Sequence, residues 1–181
     1  MPAKKTAKPA KGKPQTGESV VAPNRRVMWI NHFDLLPGDP SVITSFNAIS
    51  SGVGAGLTGL VIQSTTRGDT SPGGGNKVAH MALEVPPGYL IKGVRVCYEL
   101  SSEKSFITQI RLAQVKNPPS SATVVLDDGT NHTAVGPICV DSATTTVDPG
   151  AGAVLLSLRV NFADPSDRIV VRALGLHLIP S

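Results

Sequence analysis

Several charged side chains lie inside segments whose other residues alternate as in β-strands. Arg95, Arg111 and Arg159 stand opposite the apolar sides of their strands, and Arg172 lies in a segment that is apolar on both sides. Arginine forms paired, charge-assisted hydrogen bonds with carboxylates and is enriched where subunits meet. A solvated outer face of a sheet is the alternative interpretation. We therefore predict a candidate subunit interface at Arg95, Glu99, Arg111, Arg159 and Arg172.

A second group of charges lies at the start of the chain, where five lysines stand among alanines and prolines. Such a segment buries too little apolar surface to offset the entropy of ordering, so residues 1–23 are predicted to be a disordered tail. Lysines of this kind bind phosphates non-specifically and in a salt-sensitive way. A merely solubilising tail is the alternative. The residues predicted to contact nucleic acid or another polyanion are Lys4, Lys5, Lys8, Lys11 and Lys13.

The net charge of +4 belongs to this tail alone. Of the 17 basic and 13 acidic residues, the five lysines and Glu18 lie in residues 1–18, which leaves twelve of each in residues 19–181. An electrostatic binder of nucleic acid usually carries a basic patch on its folded domain. The neutral body therefore does not indicate such a function.

Residues that could support catalysis or hold a metal are scattered along the chain. The sequence lacks the Gly-x-Ser-x-Gly turn of many hydrolases and the paired-histidine spacings of zinc sites. Acidic turns could converge on calcium, although acids are also ordinary turn residues. We predict no enzyme activity and no cofactor. The histidines are His32, His80, His132 and His177, and the acidic turn residues are Asp127, Asp128, Asp148, Asp164 and Asp167.

Two cysteines, Cys97 and Cys139, are too few for a disulfide framework. A bridge between them requires that their strands be neighbours. The lysine-rich start is followed by no apolar segment, which argues against a signal peptide and favours the cytoplasm. In that compartment two buried free thiols are the favoured interpretation. No apolar run approaches the roughly 20 residues of a membrane span, so no membrane association is expected.

A glycine-rich stretch, Gly54–Gly59, matches the Gly-x-Gly-x-x-Gly pattern of dinucleotide-binding loops. That pattern requires a helix directly after the glycines. The residues that follow, Leu60–Thr66, are typical of a strand instead. A tightly packed or bulged glycine strand is therefore the better explanation.

The elements that must position these residues are β-strands. Between Tyr89 and Val115 the chain reads as two strands joined by a polar turn, with Val94, Val96 and Tyr98 on one side of the first. A period of two is what a half-buried strand requires. Similar alternation recurs along the chain, and its 18 glycines and 15 prolines favour many short elements with frequent turns. We predict an all-β, jelly-roll-like antiparallel β-sandwich of about 8–10 strands, formed by one domain at residues 24–181.

The final strand, Arg168–Ile179, carries apolar residues on both sides and is predicted to be central in its sheet. The sequence places Val170 and Leu174 on one side, and Ile169 and Val171 on the other.

A lysine-rich arm ahead of an all-β body resembles, in its layout, the coat subunits of small icosahedral viruses. The resemblance implies a non-enzymatic structural protein that self-associates as a trimer or larger homo-oligomer, with the tail on nucleic acid. The alternative is a ligand-binding module for carbohydrate or a surface partner, with a solubilising tail. That function requires exposed aromatic residues, for which Trp29 and Tyr89 are the candidates. A single tryptophan is more often a core anchor than an exposed stacking platform, so a core position is the favoured prediction for Trp29.

Overall fold

In the part of the chain that the structure describes, alternating side chains build eleven β-strands, one of them only two residues long. The computed structural model describes residues 25–46, 59–68, 77–116 and 118–181. Two single-turn 3-10 helices, His32–Asp34 and Pro149–Ala151, connect strands. The strands are β1 (Arg26–Ile30), β2 (Leu36–Pro37), β3 (Val42–Ser45), β4 (Leu60–Ser64), β5 (Val78–Leu83), β6 (Tyr89–Leu100), β7 (Phe106–Lys116), β8 (Ala122–Asp128), β9 (Ile138–Asp141), β10 (Gly152–Asn161) and β11 (Ile169–Pro180).

These strands form two antiparallel sheets that face each other. The six-stranded sheet has the order β3-β4-β11-β6-β9, with β1 beside the second half of β11, and the five-stranded sheet has the order β2-β5-β10-β7-β8. From β4 onward the pairs are nested as β4–β11, β5–β10, β6–β9 and β7–β8. This nesting is that of a jelly roll. The predicted all-β, jelly-roll-like sandwich is confirmed.

The core lies between the sheets and is built from the apolar side of each strand. From Val94 onward, the core residues of β6 are Val94, Val96, Tyr98 and Leu100, as the period of two predicts. On β10 they alternate in the same way, ending with Phe162 just after the strand. The polar residues between them therefore point outward, away from the core.

One predicted alternation, on β11, is wrong in its first half. Val171 pairs with Tyr98 and Ala173 with Cys97, so Arg172 is an extra residue in the ladder, a β-bulge. The bulge shifts the side-chain alternation by one position. Ile169 and Val171 therefore join Leu174 and the later leucines in the core. As predicted, β11 is central, between β4 and β1 on one side and β6 on the other.

Two predicted features lie outside the described residues. These are the lysine tail, including the boundary at residue 23, and all but the last residue of the Gly54–Gly59 stretch. In the part of the chain that the structure describes, no helix has the length and apolar character needed to cross a membrane.

Candidate functional site

Trp29 forms an exposed aromatic surface on the outer face of the six-stranded sheet. Its neighbours Met28 and Ile30 pack against the core, so Trp29 points outward, and it is 57% exposed. It pairs with Gly175 on β11. A Cβ atom on Gly175 would lie 3.2 Å from Cε3 and 3.3 Å from Cζ3 of the indole. The ring therefore rests on the sheet where a glycine leaves room, and the prediction of a core anchor is wrong.

Next to this glycine lies a planar ion pair. Arg95 on β6 faces Gly175 on one side and Asp141 on β9 on the other. Arg95 donates from Nε to Oδ1 of Asp141 at 2.7 Å and from Nη2 to Oδ2 at 2.8 Å, while their side chains remain 34% and 40% exposed. Trp29, Gly175, Arg95 and Asp141 thus form one row across four strands. With about 4.8 Å between strands, the row spans roughly 14 Å.

His177 lies beside this row and contacts Asp141. It lies two residues after Gly175 on β11 and is buried, with its Nε2 atom 2.7 Å from Oδ1 of Asp141. The hydrogen bonds from Arg95, and secondarily the contact with His177, hold the pKa of Asp141 well below its ordinary value. Asp141 is therefore a carboxylate fixed in position by two partners.

This arrangement predicts an acid-dependent contribution to stability. Because the folded-state pKa of Asp141 is depressed, its contacts stabilise the fold above about pH 4, the pKa of an unfolded aspartate, and lose strength as the pH falls further. We expect the melting temperature of the wild type to fall more steeply between pH 4 and pH 2 than that of Asp141→Asn. Parallel curves for the two proteins would contradict this assignment.

A disulfide lies next to the Arg95–Asp141 pair, on the same outer face of the six-stranded sheet. Cys97 on β6 and Cys139 on β9 are direct cross-strand partners with Cα atoms 3.9 Å apart, and they are bonded to each other. The prediction of two free thiols is wrong, because β9 lies directly beside β6. Disulfides are typical of oxidising compartments rather than of the cytoplasm. The bond also ties the strand that carries Asp141 to the sheet.

The predicted interface residues do not form one surface. Glu99 and Arg172 form a covered ion pair on the outer face of the six-stranded sheet, with Arg95 on that same face. Arg111 and Arg159 lie on β7 and β10, between core residues of the five-stranded sheet, and so point outward on the opposite side of the sandwich. The charges thus divide between two faces.

On each of these two faces, a predicted arginine forms an ion pair with a carboxylate of the same chain. Arg172 donates from Nη2 to Oε2 of Glu99 at 2.5 Å. On the other side of the sandwich, Arg111 donates from Nε to Oδ1 of Asp127 at 3.2 Å. These contacts give Glu99, Arg111 and Arg172 intramolecular partners. A subunit interface at these positions stays a prediction.

The other candidate residues are not brought together. Tyr89 is half-buried and packs against the core, so it is not an exposed platform. The acidic turn residues accept hydrogen bonds from other groups of the protein, as where Asp128 accepts from Thr130 and Asp164 accepts from Ser166. Across residues 25–46, 59–68, 77–116 and 118–181, no three His, Cys, Asp or Glu side chains form a group that could hold a metal.

Comparison with known proteins relates this chain to others only through its fold. No family model and no curated protein matches the sequence. CtCBM11, a protein characterised by its solution structure, dynamics and binding studies, is similar with a TM-score of 0.52 and 11% identity, over 91% of this chain and 99% of that chain. The CBM22-1 xylan-binding domain of Paenibacillus barcinonensis Xyn10C is similar with a TM-score of 0.49 and 8% identity, over 81% of this chain and 86% of that chain.

Further matches include the CBM36-1 domain of a multidomain xylanase from the hindgut metagenome of Trinervitermes trinervoides. Its TM-score is 0.41 at 11% identity, over 84% of this chain and 96% of that chain. Some matched chains are longer, and this chain covers 59% of one and 26% of another. These structures are β-sandwich carbohydrate-binding modules or contain them.

These findings correct the first functional prediction, a self-associating structural protein whose tail contacts a polyanion. CtCBM11, whose solved structure shares this sandwich, is a carbohydrate-binding module, and this finding contradicts that prediction and favours its alternative, a ligand-binding module. The error arose because the resemblance to coat subunits concerned only the layout of a basic arm before a β-domain. That layout does not specify what the sandwich binds.

Proposed function

We propose that this chain is a non-catalytic carbohydrate-binding module that holds its ligand on the outer face of the six-stranded sheet. The observation that carries the proposal is the row in which the exposed indole of Trp29 lies in line with the Arg95–Asp141 pair. The fold shared with CtCBM11 supports the class of ligand. No catalytic step is required of any residue in the row.

The chemistry of the row suits a sugar ring. A pyranose has an apolar face of C–H groups, which can pack on the face of an indole, and a rim of hydroxyls, which need donors and acceptors. Asp141 accepts from Nε and Nη2 of Arg95, and the third guanidinium nitrogen, Nη1, can donate to a ligand hydroxyl. The exposed carboxylate edge can accept from another. Because the two charges offset each other, the row favours a neutral sugar.

The row is also held rigidly before any ligand arrives. Its residues lie on strands rather than loops, and the guanidinium is fixed by two hydrogen bonds to one carboxylate. Side chains that are already ordered lose less conformational entropy on binding. Gly175 contributes by its lack of a side chain, since a larger residue would lift the indole from the sheet.

The test is binding by a Trp29→Ala variant. We expect affinity for the best-bound neutral polysaccharide, chosen from a panel containing xylan and mixed-linkage β-glucan, to fall at least about 30-fold. This is the effect of losing roughly 2 kcal/mol at a central aromatic contact. Affinity electrophoresis and titration calorimetry would measure it, with the melting temperature as a check on folding.

Val124→Ala is the matched control, since Val124 is another exposed apolar residue but lies on β8 of the opposite sheet. It should bind as the wild type does. The proposal fails if no polysaccharide retains the wild type, or if the Trp29→Ala variant binds as tightly.

A further inference from the structure

We infer that the ligand continues past Trp29 over the edge of β1 into the cleft between β1 and β5, so that the module selects a neutral oligosaccharide chain over a single sugar. This inference rests on the proposed function and extends it to a second part of the surface. It concerns a site between the two sheets, whereas the row described above lies on the outside of one sheet.

The cleft exists because β1 and the later part of β5, which flank it, have no described strand paired on the sides that face it. β1 pairs with β11 alone among the described strands, and β2 reaches only Ala79 and His80 of β5. The later part of β5, from Met81 to Leu83, therefore pairs with β10 on one side and has no described strand on the other. The resulting cleft has a volume of about 440 Å³. It is lined by Met28, Trp29, Ile30, Asn31, Asp34, Met81, Ala82, Leu83 and Glu84.

The cleft continues along the sandwich. A second cavity, of about 600 Å³, shares Met28, Leu83 and Glu84 with the first and extends to Pro149 and Gly152. Cavities of several hundred cubic ångströms are in the range that small-molecule ligands occupy. The two together offer room for more than one sugar ring.

The lining has the same two components as the outer row, an apolar surface and hydrogen-bonding groups. Met28 packs on the core and Met81 is buried in it, while Asn31, Asp34 and Glu84 are exposed. Asn31 donates from Nδ2 to Oδ1 of Asp34 at 2.8 Å, which orients both side chains. Among the residues that the structure describes, no lysine or arginine lines either cavity, and two carboxylates face the cleft. This charge pattern disfavours acidic or sulfated sugars.

Trp29 connects the two surfaces. It ends the row that begins at Asp141, and it also lines the cleft on the far side of β1. An oligosaccharide that crosses the strands from Asp141 to Trp29 reaches the open edge of the sheet at Trp29. The next ring along the chain would then meet the cleft, with Asn31 and Glu84 as partners for its hydroxyls.

The experiment is titration calorimetry of the full chain with xylo- and cello-oligosaccharides of two to six units. We expect the affinity of the wild type to rise at least about tenfold from the shortest to the longest chain. Asn31→Ala and Glu84→Gln should each lower the affinity for the six-unit chain severalfold and leave that for the two-unit chain unchanged. Glu103→Gln, at an exposed position in the β6–β7 turn, is the matched control.

The outcomes separate the two proposals. Binding that depends on Trp29 but is equal for all chain lengths would overturn the cleft and leave the outer row as the binding site. Equal losses for short and long chains in the cleft variants would also overturn the extension, because they would place Asn31 and Glu84 at the first sugar. Binding of no oligosaccharide at any length would reject the proposed function and the extension with it.

Discussion

Replacing Glu99 with glutamine is expected to lower the free energy of unfolding by about 3–5 kcal/mol, the usual cost of leaving one charge of a covered ion pair without its partner. Arg172 donates to Glu99 at 2.5 Å, and their side chains are only 10% and 9% exposed. Glutamine keeps the shape of the side chain and removes the compensating charge. Urea denaturation monitored by circular dichroism would measure the loss.

The opposite sheet offers a matched comparison. Arg111 and Asp127 form an ion pair of the same kind, but their side chains are 40% and 49% exposed. Water screens such a pair, so Asp127→Asn should cost less than about 1 kcal/mol. If the two variants lost equal stability, burial would not be what makes the Glu99 pair important. Replacing Glu99 and Arg172 together with methionine should restore much of the stability, since no charge then remains buried.

Removing the disulfide is expected to have an effect of similar size. The Cys97→Ser, Cys139→Ser double variant should lose about 4 kcal/mol of unfolding free energy, because the bond joins residues 42 positions apart and so restricts the unfolded chain. The folded state also depends on it locally. β9 is a four-residue edge strand that pairs with β6 alone among the described strands.

Reductant provides the control for this experiment. It should lower the melting temperature of the wild type to near that of the double variant and leave the double variant unchanged. A wild type that is insensitive to reductant after full unfolding and refolding would show that the cysteines are not bonded in solution. Asp141 lies two residues from Cys139, so the acid sensitivity attributed to Asp141 should also weaken in the double variant.

The alternation of side chains predicted most of the fold. On β6 it placed Val94 and Val96 on the core-facing side and Arg95, Cys97 and Glu99 on the outer face of the sheet, as the structure has them. A regular period predicts which side faces the core whenever the strand is regular. The alternation gave the wrong faces for the first half of β11, because the bulge at Arg172 adds one residue to the ladder. No single residue type is diagnostic of such an insertion.

The candidate site was harder to predict than the strands. Trp29 was identified as one of two candidate aromatics, but Asp141, Gly175 and His177 were not connected with it. These residues come from β9 and β11, and they meet Arg95 and Trp29 only through the order of strands in the sheet. Register and strand order are long-range properties, and the local pattern does not contain them. The same limit explains why the disulfide was missed.

The central place of β11 has a consequence for how the protein is made. This strand is synthesised after the ten others, yet it separates β1 and β4 from β6 in the finished sheet. A nascent chain that has just completed β10 therefore holds Trp29 and Arg95 with no strand to bring them into line. Pairing between such distant segments is slow compared with local folding. The surface that we propose binds sugar is thus absent throughout translation of the preceding strands and forms only once β11 leaves the ribosome.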